Sequence, residues 1–220
     1  CNQSGNVLLK NLGMRGDVSC SVKNAGGILG ANTGSQASVR MENCYMTGNV
    51  IAPTESGLIS GWMGSNNPVA ANCWASGECT GAEGEDRYLF RHNNLTLTNC
   101  YALYGTQGKN FSMEELESGA LTCMMNSVLE APVWFQNLDN GLPHDDYPTC
   151  DPSHGTVYVL AKMNCDGSYD SEDATYSNTN TAVLPPHQYK DGFCQVCGHE
   201  DGEYPFLRVF ANADHDITTG

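Results

Sequence analysis

Short apolar runs separated by glycine and asparagine fill the first half of the 220-residue chain. Their apolar and polar positions follow no helical period, which predicts short β-strands rather than helices. The spacing of the runs is itself periodic, because the triplet Asn-Cys-aromatic begins at Asn43, Asn72 and Asn99. The copies lie 29 and 27 residues apart. A period of roughly 20–50 residues is typical of stacked architectures built from one repeated unit.

A second motif runs in phase with the triplet. The Gly-apolar-apolar segments Ala25–Gly34 and Ser56–Ser65 each precede an Asn-Cys-aromatic triplet by a similar interval. We therefore predict a solenoid of parallel β-coils over residues 1–108, with glycines at corners that need positive φ angles. Catalysis would not repeat itself at a fixed spacing, so we interpret the triplet as structural.

Within each repeat the cysteine and the aromatic residue alternate across a strand. Cys44, Cys73 and Cys100 are therefore expected to face one side in register. Free cysteine is among the most buried residue types, so these thiols are interpreted as core residues. The asparagines that precede them are expected to form an amide ladder along one corner.

The segments "NAGGILGANTG" and "SGLISGWMGSNNPVAANCWASGECTG" resemble the GLUG-motif repeats of bacterial surface proteins, and "VLLKNLGMRGDV" is similar to the strand that leads into such a repeat. The resemblance covers Val7–Tyr104. It implies a right-handed parallel β-helix in an extracellular or cell-surface protein. Two departures stand out: Ser60-Gly61-Trp62 replaces a plainer Gly-x-Asn, and the third copy has "DRYLFRHNN" in place of a Gly-apolar-apolar segment.

A short helical cap is predicted after the repeats, over residues 109–150. The segment "FSMEELESGALTCMMNS" begins with the capping box Ser112-x-x-Glu115 and continues with helical apolar spacing, divided by a glycine. Trp134 and Phe135 follow and are expected to pack as part of the cap rather than to form a sugar-stacking platform. This order of segments also resembles the C-terminal part that follows such repeats in surface proteins of gut Bacteroidetes.

Charge and hydropathy restrict the partners. The formal net charge is −15, from 25 acidic and 10 basic residues, which argues against nucleic acid and anionic membranes as partners. No apolar run approaches the roughly 20 residues that a transmembrane segment needs. The abrupt start at Cys1 favours a processing boundary, and the lipidated first residue of a bacterial lipoprotein is the alternative.

The most specific chemical signal is the CxxC formed by Cys194 and Cys197 on a glycine-punctuated turn. Such a knuckle directs two thiolates at one point, which is half of a tetrahedral zinc site. Cys165 and His187 are candidates for the other half. The segment "HQYKDGFCQVCG" also resembles a short zinc-ribbon-like module of secreted bacterial proteins, which implies that its histidine and both cysteines are ligands. We predict a structural zinc ion in a Cys-rich C-terminal module, residues 151–220.

Three alternatives remain at this site. His199 follows the CxxC closely and is an alternative ligand to His187. In an oxidising compartment, Cys165 is a candidate for a disulfide with Cys194 or Cys197. A redox role for the CxxC is disfavoured, because no helix begins at the pair to lower a thiol pKa.

Two acidic segments are weaker candidates. The segment Asp166–Asp173 gathers four carboxylates, but their spacing does not match an EF-hand loop, so we interpret it as a solvated loop rather than a calcium site. His144, Asp145 and Asp146 resemble the acids and histidine of hydrolase sites. They lie between two prolines with no nucleophile motif, which indicates an exposed turn.

These features predict an extracellular structural or adhesive protein, not an enzyme, that presents a rigid acidic solenoid to glycans, cells or copies of itself, including self-association into a filament. The first coil is expected to expose an unpaired edge, which implies further coils or a partner that covers it. The alternative is a carbohydrate-active enzyme or a glycan-binding accessory module on the same scaffold. A carboxylate pair about 5–10 Å apart in a common groove would favour the enzyme.

Overall fold

The protein is mainly β with two short helices, as seen in a computed structural model. The chain forms two compact units, Cys1–Val157 and Tyr158–Gly220, which are described separately. No helix in the described part of the chain combines the length and apolarity needed to cross a membrane. The structure describes residues 4–32, 36–63, 68–81, 88–91, 95–169, 174–181 and 184–200.

The largest element of the first unit is a seven-stranded sheet in which every pairing is parallel. Its strands are β1 (Ser4–Met14), β4 (Gln36–Met46), β7 (Val69–Ala71), β8 (Trp74–Ala75), β10 (Thr96–Thr98), β11 (Tyr101–Ala102) and β12 (Lys109–Asn110). β4 pairs with β1 along one edge and with both β7 and β8 along the other. β10 then continues from β7, and β11 and β12 continue from β8.

Two smaller parallel sheets accompany it. The first contains β2 (Val18–Ser19), β5 (Val50–Ile51) and β9 (Cys79–Thr80). The second contains β3 (Leu29–Asn32) and β6 (Ser60–Met63), and Ser60 also bridges in parallel to Phe90. In both sheets, neighbouring strands come from successive repeats of the sequence.

The thiols of Cys44, Cys73 and Cys100 lie in one buried column, which confirms that the repeated cysteines face the same side. Each thiol donates to the carbonyl oxygen two residues before it, at 3.3–3.5 Å. Cys73, in the middle of the column, also contacts the thiols of both neighbours. The repeated cysteine is therefore satisfied by internal contacts alone.

The predicted amide ladder is also confirmed, and it begins one repeat earlier than the triplets indicate. Asn43 Nδ2 donates to Asn11 Oδ1 at 2.7 Å, Asn72 Nδ2 to Asn43 Oδ1 at 3.3 Å, and Asn99 Nδ2 to Asn72 Oδ1 at 2.9 Å. All four asparagines have φ between 52° and 56°, a left-handed conformation that asparagine tolerates better than most residues. Asn11 was missed because Leu-Gly, rather than Cys-aromatic, follows it.

The prediction of a right-handed parallel β-helix is wrong for this chain. Its strands are distributed over several small and mostly separate sheets instead of the continuous sheets of a solenoid, and two sheets of the second unit are antiparallel. The physical reason is local: after β4 the strands are only two to four residues long, since glycine, proline and asparagine interrupt them and end their hydrogen-bond ladders. The stacked triplets are thus a local feature of a mainly β fold.

The two predicted short helices are present as α1 (Met113–Ser118) and α2 (Ala120–Asn126). The capping box forms as expected, with Glu115 N donating to Ser112 Oγ and Ser112 N donating to Glu115 Oε2. Gly119 separates the helices at φ 94°, a conformation that favours glycine.

The helices cover an aromatic cluster on the seven-stranded sheet. The Tyr45 and Trp74 rings, from successive repeats, stack with centroids 5.1 Å apart. Trp134 meets both rings edge-on and is fully buried, so it packs in the cap as predicted. Phe135 is half-buried, and its backbone bridges to Thr149.

A buried polar side chain joins the helices to the segment that follows. Gln136 is fully buried, and its Oε1 accepts from Thr122 Oγ1 at 2.6 Å. Its Nε2 donates to the carbonyl oxygens of Leu116 and Asp145, both at 3.0 Å. These hydrogen bonds join both helices to the segment that follows and satisfy the buried amide.

The second unit contains two antiparallel strand pairs. β13 (Tyr158–Leu160) pairs with β14 (Thr175–Ser177), and β15 (Tyr189–Lys190) pairs with β16 (Phe193–Cys194). The second pair is a tight hairpin, and it carries the CxxC.

Candidate metal centre

A two-residue hairpin turn positions the CxxC. Asp191 and Gly192, between β15 and β16, have φ angles of 54° and 82°. This is the pattern of the Asp-Gly turns that match the twist of a hairpin. The chain then turns again, with Gly198 N donating to Cys194 O at 2.9 Å and Cys194 N donating to His199 O at 2.8 Å. These two turns bring Cys197 back beside Cys194.

A separate turn presents Cys165. Gly167, at φ 82°, donates its N–H to Asn164 O, and Asn164 N donates to Ser168 O. Asp166 completes the turn by accepting from both the N–H and the hydroxyl of Ser168, which lowers the pKa of the Asp166 carboxyl group. Asp166 is therefore a turn residue, and the other acids of that segment, at 170, 172 and 173, lie outside the described residues.

The four predicted ligands meet at one point. Cys165 Sγ lies 3.5 Å from Cys194 Sγ and 3.3 Å from Cys197 Sγ, and Cys197 Sγ lies 3.3 Å from His187 Nδ1. All four ligand atoms are within 4.8 Å of one another. In a tetrahedral zinc site, bond lengths of about 2.3 Å to sulfur and about 2.0–2.1 Å to nitrogen separate the ligand atoms by about 3.5–3.8 Å. The cluster can therefore hold a metal ion.

The three cysteines of the cluster are free thiols, and the pKa values of the Cys165 and Cys194 thiols shift in opposite directions. Burial opposes ionisation of Cys194, but the backbone N–H groups of Cys197 and Val196, together with His187, lower the pKa of this thiol to about 5. Burial and the neighbouring thiols raise the pKa of the Cys165 thiol to about 12. Because metal binding needs thiolates, a cation bound at this cluster would displace a proton from Cys165.

His199, the alternative ligand, has a different position. Its ring stacks on that of His187, with centroids 4.8 Å apart and planes 19° from parallel. The Tyr189 ring also contacts His187, at 5.5 Å. The four-residue cluster contains His187 and not His199, so His199 packs against a candidate ligand.

A second polar cluster lies in the first unit, where sequence had indicated only an exposed turn. Asp145 Oδ2 lies 2.6 Å from His154 Nδ1 and accepts from Asn137 N, also at 2.6 Å. The neighbouring His144 and Asp146 are exposed. The Asp145–His154 pair was missed because His154 belongs to no motif and lies nine residues away. These contacts connect Asn137, Asp145 and His154, so the cluster stabilises the loop that runs between Asn137 and His154.

Comparison of the chain with protein-family models, with curated proteins and with solved structures found no match. The resemblance to GLUG-motif repeats therefore stays a prediction from sequence, and the metal centre is defined by its geometry.

Proposed function

We propose that the Cys165, His187, Cys194 and Cys197 cluster binds zinc and that the ion is structural. Thiolate and imidazole ligands in a tetrahedral arrangement suit zinc among the common divalent metals. Four protein ligands leave no position for water or substrate, so the ion would have no catalytic role. The observation that carries this proposal is the convergence of four ligand atoms from three separate segments within 4.8 Å.

The burial pattern of the second unit supports a structural role. Among its described residues, the buried apolar side chains are Cys165 and Cys194 themselves. A unit with so small a core lacks the hydrophobic stabilisation of a larger domain. Zinc binding can replace it, because the free energy of metal binding becomes free energy of folding when the site forms only in the folded state.

We further propose that the chain is a structural or adhesive module, acting outside the cell or at its surface, rather than an enzyme. Its repeated polar groups are used internally: the asparagines bond to one another and the cysteines to backbone carbonyls. A net charge of −15 favours solubility and disfavours nucleic acid as a partner. Burial raises the pKa of Cys123 to about 12, which slows its oxidation outside the cell because the thiolate is the reactive form.

The zinc proposal is tested by elemental analysis of the chain purified under reducing conditions. We expect one zinc per chain, with the cluster thiols protected from alkylation until a chelator is added. Cys197→Ser should abolish zinc binding, whereas Cys150→Ser, a half-buried cysteine outside the cluster, should retain it. Metal-free protein in which the cluster thiols react at once would contradict the proposal.

The non-enzymatic role is tested with the zinc-loaded chain on immobilised glycans and on intact cells. We expect retention without release of sugar products. Release of soluble oligosaccharides from a polysaccharide would show instead that the chain is a carbohydrate-active enzyme.

A further inference from the structure

The four residues of the candidate metal centre differ in their access to solvent. Cys165 and Cys194 are buried, with 7% and 3% of their surface exposed, whereas Cys197 and His187 are only partly buried. Cys197 lies in an open turn, since a Cβ atom added at the adjacent Gly198 would meet no atom within 4 Å. A small reagent that approaches the cluster therefore reaches the sulfur of Cys197 before those of the other two cysteines.

The accessible sulfur of Cys197 lies next to the buried sulfur of Cys165. The two Sγ atoms are 3.3 Å apart, compared with 3.5 Å between Cys165 Sγ and Cys194 Sγ. A disulfide bond is about 2.05 Å long, so the sulfurs of Cys165 and Cys197 need to approach by only about 1.3 Å. Side-chain rotation can supply a movement of this size without refolding the turns that carry the two cysteines.

Four thiols of the first unit are protected against oxidants by burial. Burial raises the pKa of the Cys73, Cys79, Cys123 and Cys150 thiols, in the case of Cys123 to about 12. The thiolate is the form that attacks an oxidant, so these cysteines react slowly at neutral pH. Oxidation is therefore directed away from these four thiols and towards the exposed side of the metal centre.

We propose that the metal centre is a redox switch, in which a peroxide joins Cys165 to Cys197 as a disulfide and releases the zinc ion. This inference rests on the proposed zinc binding and names the regulation of that same site. The sequence leaves zinc binding and a disulfide open as alternatives for this cluster. In the switch they are two states of one site, and the redox conditions around the protein determine which state is present.

The reaction balances with hydrogen peroxide as the oxidant. The Cys197 thiolate attacks one peroxide oxygen, the O–O bond breaks, and the hydroxide that leaves takes up a proton to become water. The Cys165 thiolate then attacks the sulfenic acid sulfur of Cys197, the S–O bond breaks, and a second hydroxide leaves and is protonated. In total, two thiolates lose two electrons, hydrogen peroxide and two protons become two water molecules, and the zinc ion is released.

The disulfide removes half of the ligand set but keeps the two turns connected. Cys194 and His187 remain as ligands, and two protein ligands fall short of the four that a structural zinc ion needs. The new bond still links the turn around Gly167 to the turn that carries the CxxC, as the ion does in the reduced state. The second unit therefore stays folded in both states, stabilised by the metal in one and by the covalent bond in the other.

The test is a titration of the reduced, zinc-loaded chain with hydrogen peroxide, in which a chromophoric chelator reports released zinc against a sample without peroxide. We expect one zinc ion to be released per chain. Trypsin cleaves after Lys162, Lys190 and Arg208, so Cys165 and the CxxC fall on separate peptides. Non-reducing mass spectrometry should find these two peptides joined, with the bond at Cys197. Cys150→Ser, which removes a half-buried cysteine outside the cluster, should behave as wild type.

Amide hydrogen exchange provides a measurement that needs no substitution. The amides of β15 and β16 should exchange slowly in the zinc-loaded chain and in the oxidised, zinc-free chain, and rapidly in the reduced chain after chelation. A reductant and zinc should return the oxidised chain to its starting state. Rapid exchange in the oxidised chain would overturn the proposal.

The outcomes separate this inference from the zinc proposal. Zinc that stays bound after peroxide treatment, a disulfide between Cys194 and Cys197 that leaves the two peptides unlinked, or a link through Cys194 would overturn the switch and leave zinc binding intact. Zinc release with sulfinic acids on separate cysteines would do the same. A reduced chain that contains no zinc before peroxide is added would overturn both proposals.

Discussion

Cys165 Sγ lies 3.3 Å from Cys197 Sγ, although 32 positions separate the two cysteines along the chain. The contact requires two independent turns, one around Gly167 and one at the hairpin that carries Asp191 and Gly192. Each turn is recognisable from its Asp-Gly dipeptide, but only the folded second unit brings the turns together. The candidate ligand cluster therefore joins a local signal, the CxxC, to Cys165 and His187, which sequence analysis named as candidates and the folded unit brings beside it.

The two histidines at the metal centre should differ in their effect on zinc affinity. His187→Ala removes a ligand and should weaken zinc binding far more than His199→Ala, which removes a ring stacked on that ligand. Residues that only orient a ligand typically contribute about 10–100-fold in affinity. Competition with a chromophoric chelator measures both variants. A larger loss for His199→Ala than for His187→Ala would mean that the ligands are misassigned.

The amide ladder should contribute measurably to the stability of the first unit. Asn72→Ala removes two side-chain hydrogen bonds, each worth about 0.5–1.5 kcal/mol, and places alanine at φ 54°, which costs roughly 1–2 kcal/mol. We expect a total loss of about 2–5 kcal/mol. Urea unfolding followed by tryptophan fluorescence reports on this unit, because all three tryptophans belong to it.

Asn72→Gly is the matched control for backbone strain. Glycine adopts the left-handed conformation freely, so this variant should lose the hydrogen bonds without the strain and be less destabilised than Asn72→Ala. Equal losses in the two variants would show that the positive φ angle contributes nothing.

A close backbone approach between repeats should make Gly77 intolerant of any side chain. A Cβ atom at Gly77 would lie 1.9 Å from the carbonyl oxygen of Gly48, and backbone cannot move aside as a flexible side chain can. Gly77→Ala should therefore cost at least the roughly 1–3 kcal/mol typical of overpacking. Gly141→Ala is a useful comparison, because it has a positive φ but no atom within 4 Å. Its thermal unfolding should change less than that of Gly77→Ala.

Glu42 should make the first unit more stable at neutral than at acidic pH. Its hydrogen bond with Arg40, reinforced by Lys10, lowers the pKa of this carboxyl group below its ordinary value of 4.5. A lowered pKa in the folded state stabilises the protein above about pH 4.5, and this contribution disappears as pH falls through the folded-state value. Both cations are about half exposed, so the contribution should be only about 0.2–1 kcal/mol.

The corresponding measurement compares Glu42→Gln with wild type in urea at several pH values and one protein concentration. The variant should be less stable at pH 7 and should approach wild type as pH falls through the folded-state pKa of Glu42, because the carboxyl group is then protonated in both states. Glu117→Gln, which removes an exposed helical carboxylate, is the control for the loss of one negative charge. A constant difference across all pH values would rule out the ion pair as its cause.

The sequence by itself determined the features that depend on contacts within a short segment or on the regular repetition of a motif. The spacing of Asn43, Asn72 and Asn99 predicted the amide ladder and the column of cysteines, because equivalent positions of successive repeats meet whenever the repeats pair in register. The Ser112 capping box predicted a helix start, since each of its bonds joins groups within one turn. The CxxC likewise predicted half of the candidate metal centre, because its two cysteines lie within one short turn.

Only the tertiary structure decided how far the sheets extend and which distant groups meet. The β-helix prediction failed because a continuous sheet needs strands that stay paired along their whole length. The strands after β4 are short, and their pairing ends after two to four residues. The pairing of Asp145 with His154 was likewise beyond sequence analysis, whereas His187, which the sequence had named ahead of His199, lies in the cluster. Local patterns limit which conformations a segment adopts, whereas contacts between segments depend on the packing of the whole unit.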